Sequence, residues 1–215
     1  MMLEDIAVYG AGGFGREVVC QIRMINSIQQ KWKFIGYFDD GLPKGTHLDY
    51  GVVLGNINTV NDWRDKLNIV IGIGSVVHLH KVSSSIINQN IKFPNIISPD
   101  TIFFDKTNLI IGRGNIICPR CLISTRVKIG DFNIMNGYIP IGHDVTIGDC
   151  NIIMPSVNIS GAVKIGNCNF LGLKSSVLQC VKVGNNTRVG AGSVVIRNTK
   201  DGYLYLGNPA MISKM

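Results

Sequence analysis

Ile111-Gly112-Arg113-Gly114-Asn115-Ile116-Ile117 opens a run that continues to Val195 and decides the fold. Every sixth residue in it is aliphatic or Met: Ile111, Ile117, Ile123, Ile129, Met135, Ile141, Ile147, Ile153, Ile159, Ile165, Leu171, Val177, Val183, Val189 and Val195. A period of eighteen lies over this one, with Gly112, Gly130, Gly148, Gly166 and Gly184 each following an aliphatic residue, and Asn115, Asn133, Asn151 and Asn169 in step with them. Neither period is the 3.6 of an α-helix. β-branched residues favour extended backbone, and Gly and Asn tolerate the positive φ of a sharp corner. The pattern therefore predicts a coil of three short strands and three corners stacked on copies of itself. Five coils at roughly 4.8 Å per strand pair give a prism about 24 Å tall. Its interior is the aliphatic column, and the Asn column, continued by Thr187, forms a structural amide ladder down one side.

Composition narrows the remainder. The 215 residues carry 46% hydrophobic side chains, ample for a core in one large or two small domains. No apolar run reaches the roughly 18 residues of a membrane span, and Glu4 and Asp5 lead straight into a strand, so a cytoplasmic protein without membrane insertion is expected. Six scattered cysteines, at 20, 118, 121, 150, 168 and 180, suggest reduced buried thiols rather than a disulfide framework. Cys118 and Cys121 form a lone CxxC with no second ligand pair nearby, and no metal is expected. The net charge of +7 belongs to the repeat half: residues 96 to 215 hold twelve Lys/Arg against six Asp/Glu, and residues 1 to 95 nine against eight. Such an excess suits a polyanionic small ligand, and no basic run with interleaved aromatics points to nucleic acid.

Residues 1–95 read as a small α/β unit. Ile6 to Tyr9 is a buried strand, Gly10-Ala11-Gly12-Gly13-Phe14-Gly15 a glycine loop, and Val18, Val19, Ile22 and Ile25 mark one face of the helix that follows. Phe34 to Phe38 is a second strand ending in Asp39 and Asp40; Ile69 to Ile73 is a third, before Gly74 and a helix over 76–89. Alternating strands and helices imply a parallel sheet. The GxGxxG stands between strand and helix, where glycines let backbone approach a phosphate and the helix directs free N–H groups at it. An acid at the end of the second strand is placed to read ribose or base. The unit is half the size of a dinucleotide fold, so a mononucleotide fits better than NAD. Residues 96–215 form the second domain.

Together the hexapeptide columns, Gly10 to Gly15 and Asp39-Asp40 resemble the bacterial sugar acyltransferases of the left-handed parallel β-helix type. That family includes sialic acid O-acetyltransferases and the N-acetyltransferases of nucleotide-linked amino sugars. Left-handedness is implied by the resemblance alone, since parallel crossovers are otherwise right-handed. The resemblance further implies a homotrimer using acetyl-CoA as co-substrate. It makes His143 the catalytic base, with Asp144 after it and Asn136 before it. Gly161, in Ser160-Gly161-Ala162 one coil later, presents its N–H to the thioester carbonyl. The segment Gly207-Asn208-Pro209-Ala210 lies beside coenzyme A, along the prism with Gly172 and Gly190. The acceptor side falls to Gly10, Gly12, Gly13, Phe14, Gly15, Asp39, Asp40 and Asn136.

His143 is also the one histidine of four inside the repeat; His78 and His80 are read as surface residues beside a helix. A neutral imidazole can take the proton lost by an amine or hydroxyl attacking a thioester, with Asp144 fixing its tautomer. Adjacent strand residues face opposite ways, so His143 and Asp144 can touch only at a corner. The sequence departs from the family in three places. Ile152 replaces a second His nine residues after the first, at the acyl-binding position; Phe14 replaces a His of the glycine loop; and Tyr138 and Pro140 are bulkier than usual. The expected function is N-acetylation of a nucleotide-linked amino sugar, a UDP-4-amino sugar first. The alternatives are O-acetylation of a sugar hydroxyl such as that of sialic acid, and a catalytically silent β-helix scaffold.

Overall fold

The computed structural model describes residues 3–213, which divide into two compact units, Met1–Pro99 and Asp100–Met215. In the first, β1 (Glu4–Tyr9), α1 (Gly13–Ile28), β2 (Trp32–Phe38), β3 (His47–Leu48), β4 (Gly51–Gly55), α2 (Ile57–Asn61), β5 (Leu67–Ile71), α3 (Val76–Ser85) and β6 (Ile91–Lys92) follow in order. Their sheet runs β3-β4-β2-β1-β5-β6, parallel except for the β3–β4 hairpin. The central strands are buried throughout, with Ile6, Ala7, Val8, Ile69 and Val70 at 0% exposure, which is why they read as unbroken apolar runs. Val18, Val19 and Ile22 of α1 are buried, while Ile25 is half-buried.

The helix expected over 76–89 stops at Ser85. Ser84 and Ser85 turn their hydroxyls back onto the carbonyls of His80 and Lys81, at 2.6 and 2.7 Å, and so weaken the last turn. Asn88 then ties the chain to the carbonyls of Val60 and Trp63 at 3.0 and 2.8 Å.

The second unit is a parallel solenoid of two-residue strands in three rows. One row holds Ile116–Ile117, Ile134–Met135, Ile152–Ile153, Phe170–Leu171 and Arg188–Val189, the first four each paired with the strand eighteen residues on. The second row passes through Leu122–Ile123, Pro140–Ile141 and Asn158–Ile159, and the third through Lys128–Ile129, Thr146–Ile147 and Lys164–Ile165. The stack exceeds the five coils expected. It begins earlier, at Ile102–Phe103, and continues past Val195 to Leu204–Leu206, which an antiparallel Met211–Ser213 closes. Both extensions escape the six-residue count because connecting segments of other lengths precede Ile110 and Leu204.

The Asn column is the ladder expected. Asn115, Asn133, Asn151, Asn169 and Thr187 are all 0% exposed, and each carboxamide oxygen accepts the backbone N–H one coil on, at 2.7 to 3.0 Å. A second ladder runs along the exposed corner through Asp131, Asp149, Asn167, Asn185 and Asp201. Their Oδ1 atoms accept the N–H groups of Arg113, Asp131, Asp149, Asn167 and Asn185.

The corners correct one expectation. The Gly112 column does not supply the positive φ; instead Arg120, Arg126, Phe132, Tyr138, Asp144, Cys150, Ser156, Ala162, Cys168, Lys174, Cys180 and Asn186 do, at 52° to 64°. Left-handed backbone costs a non-glycine residue about 1 kcal/mol or more, so here the coil imposes it on whatever residue stands there. Cys150 and Cys168 are such corner residues, one buried and one half-buried. Cys20 and Cys180 are exposed, contrary to the expectation of uniformly buried thiols.

Candidate active site

The His143 corner lies between Pro140–Ile141 and Thr146–Ile147. Asp144 takes the left-handed corner conformation, φ 58°, and this breaks the strand alternation that would otherwise part the pair. His143 Nδ1 lies 2.8 Å from Asp144 Oδ2, and Asp144 Oδ1 lies 3.1 Å from Nε of Arg126. The hydrogen bond to His143, and then the Arg126 guanidinium, hold the Asp144 carboxyl below the usual carboxylate range. Asp144 therefore stays an acceptor, which fixes the His143 proton on Nδ1 and leaves Nε2 with its lone pair.

Gly161 stands directly over that ring: a Cβ there would come within 2.6 Å of His143 Nε2. A Cβ on Gly142 would meet the Gly161 N at 2.6 Å, so the two glycines let successive coils close on the imidazole. Ala162 N donates to the His143 carbonyl at 2.8 Å, keeping the coils in register. At the corner of Asp131 and Asp149 a side-chain oxygen satisfies each backbone N–H. At the corner of Thr125, His143 and Gly161 no carboxamide or carboxylate does so, and among the described residues no group accepts the Gly161 N–H. An unspent donor beside an imidazole is the arrangement needed for an oxyanion.

The other residues expected here lie apart from this corner. Asn136 is held in its own row, with Nδ2 donating to Met154 Sδ at 3.5 Å and Oδ1 accepting from Cys118 Sγ at 3.8 Å. Ile152 is 1% exposed on another face of the prism. Gly172 and Gly190 have packing reasons to be glycine: a Cβ at Gly172 would fall 2.6 Å from Ala191 N, and one at Gly190 would overlap Leu206. Pro209 is exposed near the chain terminus.

In the N-terminal unit a cavity of about 580 Å³ opens at the carboxyl ends of β1, β2 and β5, walled by Tyr9, Gly10, Gly12, Gly13, Phe14, Asp39, Asp40 and Gly74. His78 and Lys81 of α3 complete it; His78 is exposed, as expected, and borders the hollow with a lysine beside it. The glycines divide by role. Gly10 has φ 104°, and a Cβ on Gly15 would overlap the Gly10 carbonyl, so both serve the tight turn and the packing of helix on strand. A Cβ on Gly12 or Gly13 would meet nothing within 4 Å.

Asp39 pins the loop rather than facing the hollow unengaged. Its Oδ2 accepts Ala11 N at 2.8 Å and its Oδ1 accepts Gly41 N at 2.8 Å, while Asp40 Oδ1 accepts Ile57 N at 3.0 Å. Burial, together with the Asp40 carboxylate beside it, pushes the Tyr9 phenol far above its ordinary range. No side chain caps the first turn of α1, whose N–H groups point toward the loop. Gly13→Ala should therefore leave the melting midpoint unchanged in a thermal melt. Gly15→Ala should lower the melting midpoint, by an overpacking cost of about 2 kcal/mol.

A parallel β-solenoid with a histidine–aspartate pair at one corner, preceded by a glycine-loop α/β unit, is the plan of a hexapeptide-repeat acyltransferase. Residues 5–86 match the PglD N-terminal domain family. WeeI from Acinetobacter baumannii AYE is 30% identical, with TM-score 0.87 and coverage of 98% of this chain and 100% of that one. PerB from Caulobacter crescentus, solved with CoA and GDP-perosamine, is 25% identical, with TM-score 0.88 and 99% of both chains covered. The acetyltransferase domain of PglB from Neisseria gonorrhoeae FA1090, solved with acetyl coenzyme A, is 23% identical, with TM-score 0.87 over 99% of this chain and 100% of that one. Among curated proteins none matches. The chain belongs to the left-handed β-helix family of bacterial sugar acyltransferases. Among the described residues no His, Cys, Asp and Glu cluster could hold a metal, and no helix is long and apolar enough to cross a membrane.

Proposed function

We propose that the protein transfers acetyl from acetyl-CoA to the amine of a nucleotide-linked amino sugar, in the cytoplasm and as a homotrimer. The observation that carries this is the His143 corner: an imidazole whose Nδ1 is held by Asp144 at 2.8 Å and whose Nε2 packs against Gly161, a residue whose N–H has no acceptor among the described residues. Nε2 takes a proton from the attacking amine as nitrogen bonds to the thioester carbon. The Gly161 N–H receives the developing oxyanion, and the thiolate of coenzyme A leaves when the carbonyl re-forms. No acyl-enzyme is needed, because alignment of the two substrates supplies the advantage.

The 580 Å³ cavity supports a nucleotide subsite in the N-terminal unit. Gly12, Gly13 and the open first turn of α1 suit phosphate, Lys81 offers a cation, and Asp40 an acceptor for ribose or base. Asn136 and Phe14 are assigned to acceptor contacts, and Gly172, Gly190 and Pro209 to acetyl-CoA, while the burial of Ile152 takes it out of direct contact. PerB's complex with CoA and GDP-perosamine favours a nucleotide-linked amino sugar over free sialic acid, and brings GDP-sugars alongside the UDP-4-amino sugars first expected. The test pairs each nucleotide amino sugar with its hydroxyl counterpart. Acetylation of the amine alone is expected; acetylation of the hydroxyl alone would overturn the assignment. Light scattering should return the mass of three chains.

A further inference from the structure

We propose that Arg126 is a positioning residue for the His143–Asp144 pair, acting through Asp144 rather than on either substrate. The proposal rests on His143 being the base. Position 126 precedes 144 by one eighteen-residue coil, and both residues hold the left-handed corner conformation, φ 56° and 58°. Their side chains therefore leave the prism stacked one above the other. Asp144 N donates to the Thr125 carbonyl at 3.0 Å, so the two corners are locked in register.

Thr125 is itself held from outside. Its hydroxyl donates to Asp105 Oδ2 at 2.7 Å, and Asp105 also accepts from Thr107 N, Asn108 N and the Asn108 amide. A braced turn thus fixes the coil from which Arg126 projects. The carboxylate is divided between two donors: Oδ1 takes Nε of Arg126 at 3.1 Å, and Oδ2 takes Nδ1 of His143 at 2.8 Å.

Arg126 and Asp144 are 73% and 42% exposed, so their attraction alone contributes little to stability. What the pair supplies is direction. An exposed aspartate at a corner samples several side-chain rotamers, and only the one observed presents Oδ2 to Nδ1. The guanidinium, planar and always charged, selects that rotamer. Arg126 and Asp144 also border a hollow of about 410 Å³ with Lys128 and Thr146, and the corner positions one coil after His143 and Asp144 are the uncharged Gly161 and Ala162. Among the described residues Arg126 is the one Lys or Arg within ion-pair distance of Asp144, and so the cation that orients the carboxylate.

The test is Arg126→Gln in the full chain, read by ¹⁵N-histidine NMR and steady-state kinetics. The expected result is a smaller Nδ1–H tautomer fraction for His143 and a fall in kcat of about tenfold, with KM for acetyl-CoA and acceptor unchanged. Arg126→Lys should recover part of kcat, since it restores the charge but not the planar fork. Wild-type tautomer signals and kcat in Arg126→Gln would overturn the proposal, as would a loss of kcat that merely follows a fall in the melting midpoint. His143→Ala in the same assay separates the two layers. If that variant keeps turnover, the base assignment fails, while the NMR signal still reports whether Arg126 orients the ring. If it is inactive and Arg126→Gln behaves as wild type, the positioning role alone fails.

Discussion

His143→Ala is expected to lower kcat/KM for acetyl transfer by about 10³-fold, roughly 4 kcal/mol of transition-state stabilisation, with the fold intact. Two features of the corner set that size. The imidazole is pre-aligned, because Asp144 accepts from Nδ1 at 2.8 Å and so leaves Nε2 with its lone pair. The ring is also confined, because Gly161 packs against it with no room for a side chain. On the proposed mechanism, loss of the imidazole removes the proton acceptor but leaves the Gly161 N–H, so residual turnover above the uncatalysed rate should persist. The measurement is thiol release at saturating and subsaturating acceptor, with circular dichroism and light scattering on the same sample. A variant within threefold of wild type would place the proton acceptor elsewhere.

A large stability effect is expected from Gly148→Ala in the solenoid. A Cβ there would overlap the Asn167 carboxamide oxygen and fall 2.8 Å from the Gly166 carbonyl oxygen. Neither obstacle can retreat. The Asn167 oxygen accepts Asp149 N at 2.7 Å, and the coils on either side are tied by Gly148 N to the Ile165 carbonyl at 2.9 Å. Relief must come from breaking the exposed ladder or spreading two coils, which together cost about 3–4 kcal/mol. For a chain of this size that lowers the melting midpoint by roughly 10 °C. Gly12→Ala, with nothing within 4 Å, serves as the control and should leave the midpoint in place. Equal midpoints for the two variants would contradict the close-coil account.

These two sites also mark what could be read in advance. The solenoid was legible because packing is one-dimensional: each inward position repeats every six residues, and the column from Ile111 to Val195 has no gap. The Asn115 ladder was legible for the same reason. The Asp131 to Asp201 ladder was not read, although Asp131, Asp149, Asn167 and Asn185 keep the same eighteen-residue spacing, because it mixes acids with amides on an exposed edge. The corner conformation had no residue signature at all. It falls on Arg120, Phe132, Cys150 and Lys174 alike, since coil closure rather than residue preference dictates it.

The same blindness hid Arg126. Its relation to Asp144 is one coil, a spacing present in the sequence, but the contact depends on two corner side chains leaving the prism in parallel. In the N-terminal unit, strand, glycine loop and helix were legible from the apolar runs and Gly10 to Gly15. The β3–β4 hairpin was not, because His47 to Gly55 lacks a strong alternation. Nor could the sequence reveal that Asp39 spends both oxygens on backbone N–H groups, or that His78 and Lys81 border the cavity. Those facts require the loop and α3 to be seen facing one another.

The most direct test of the account is turnover by the wild-type protein with acetyl-CoA and a panel of GDP-, UDP- and dTDP-linked amino sugars, followed by thiol release and by the mass of the product. The account predicts that at least one nucleotide amino sugar gains a single acetyl group on its amine, with release of one equivalent of coenzyme A. A folded protein that releases no thiol with any member of the panel would contradict it.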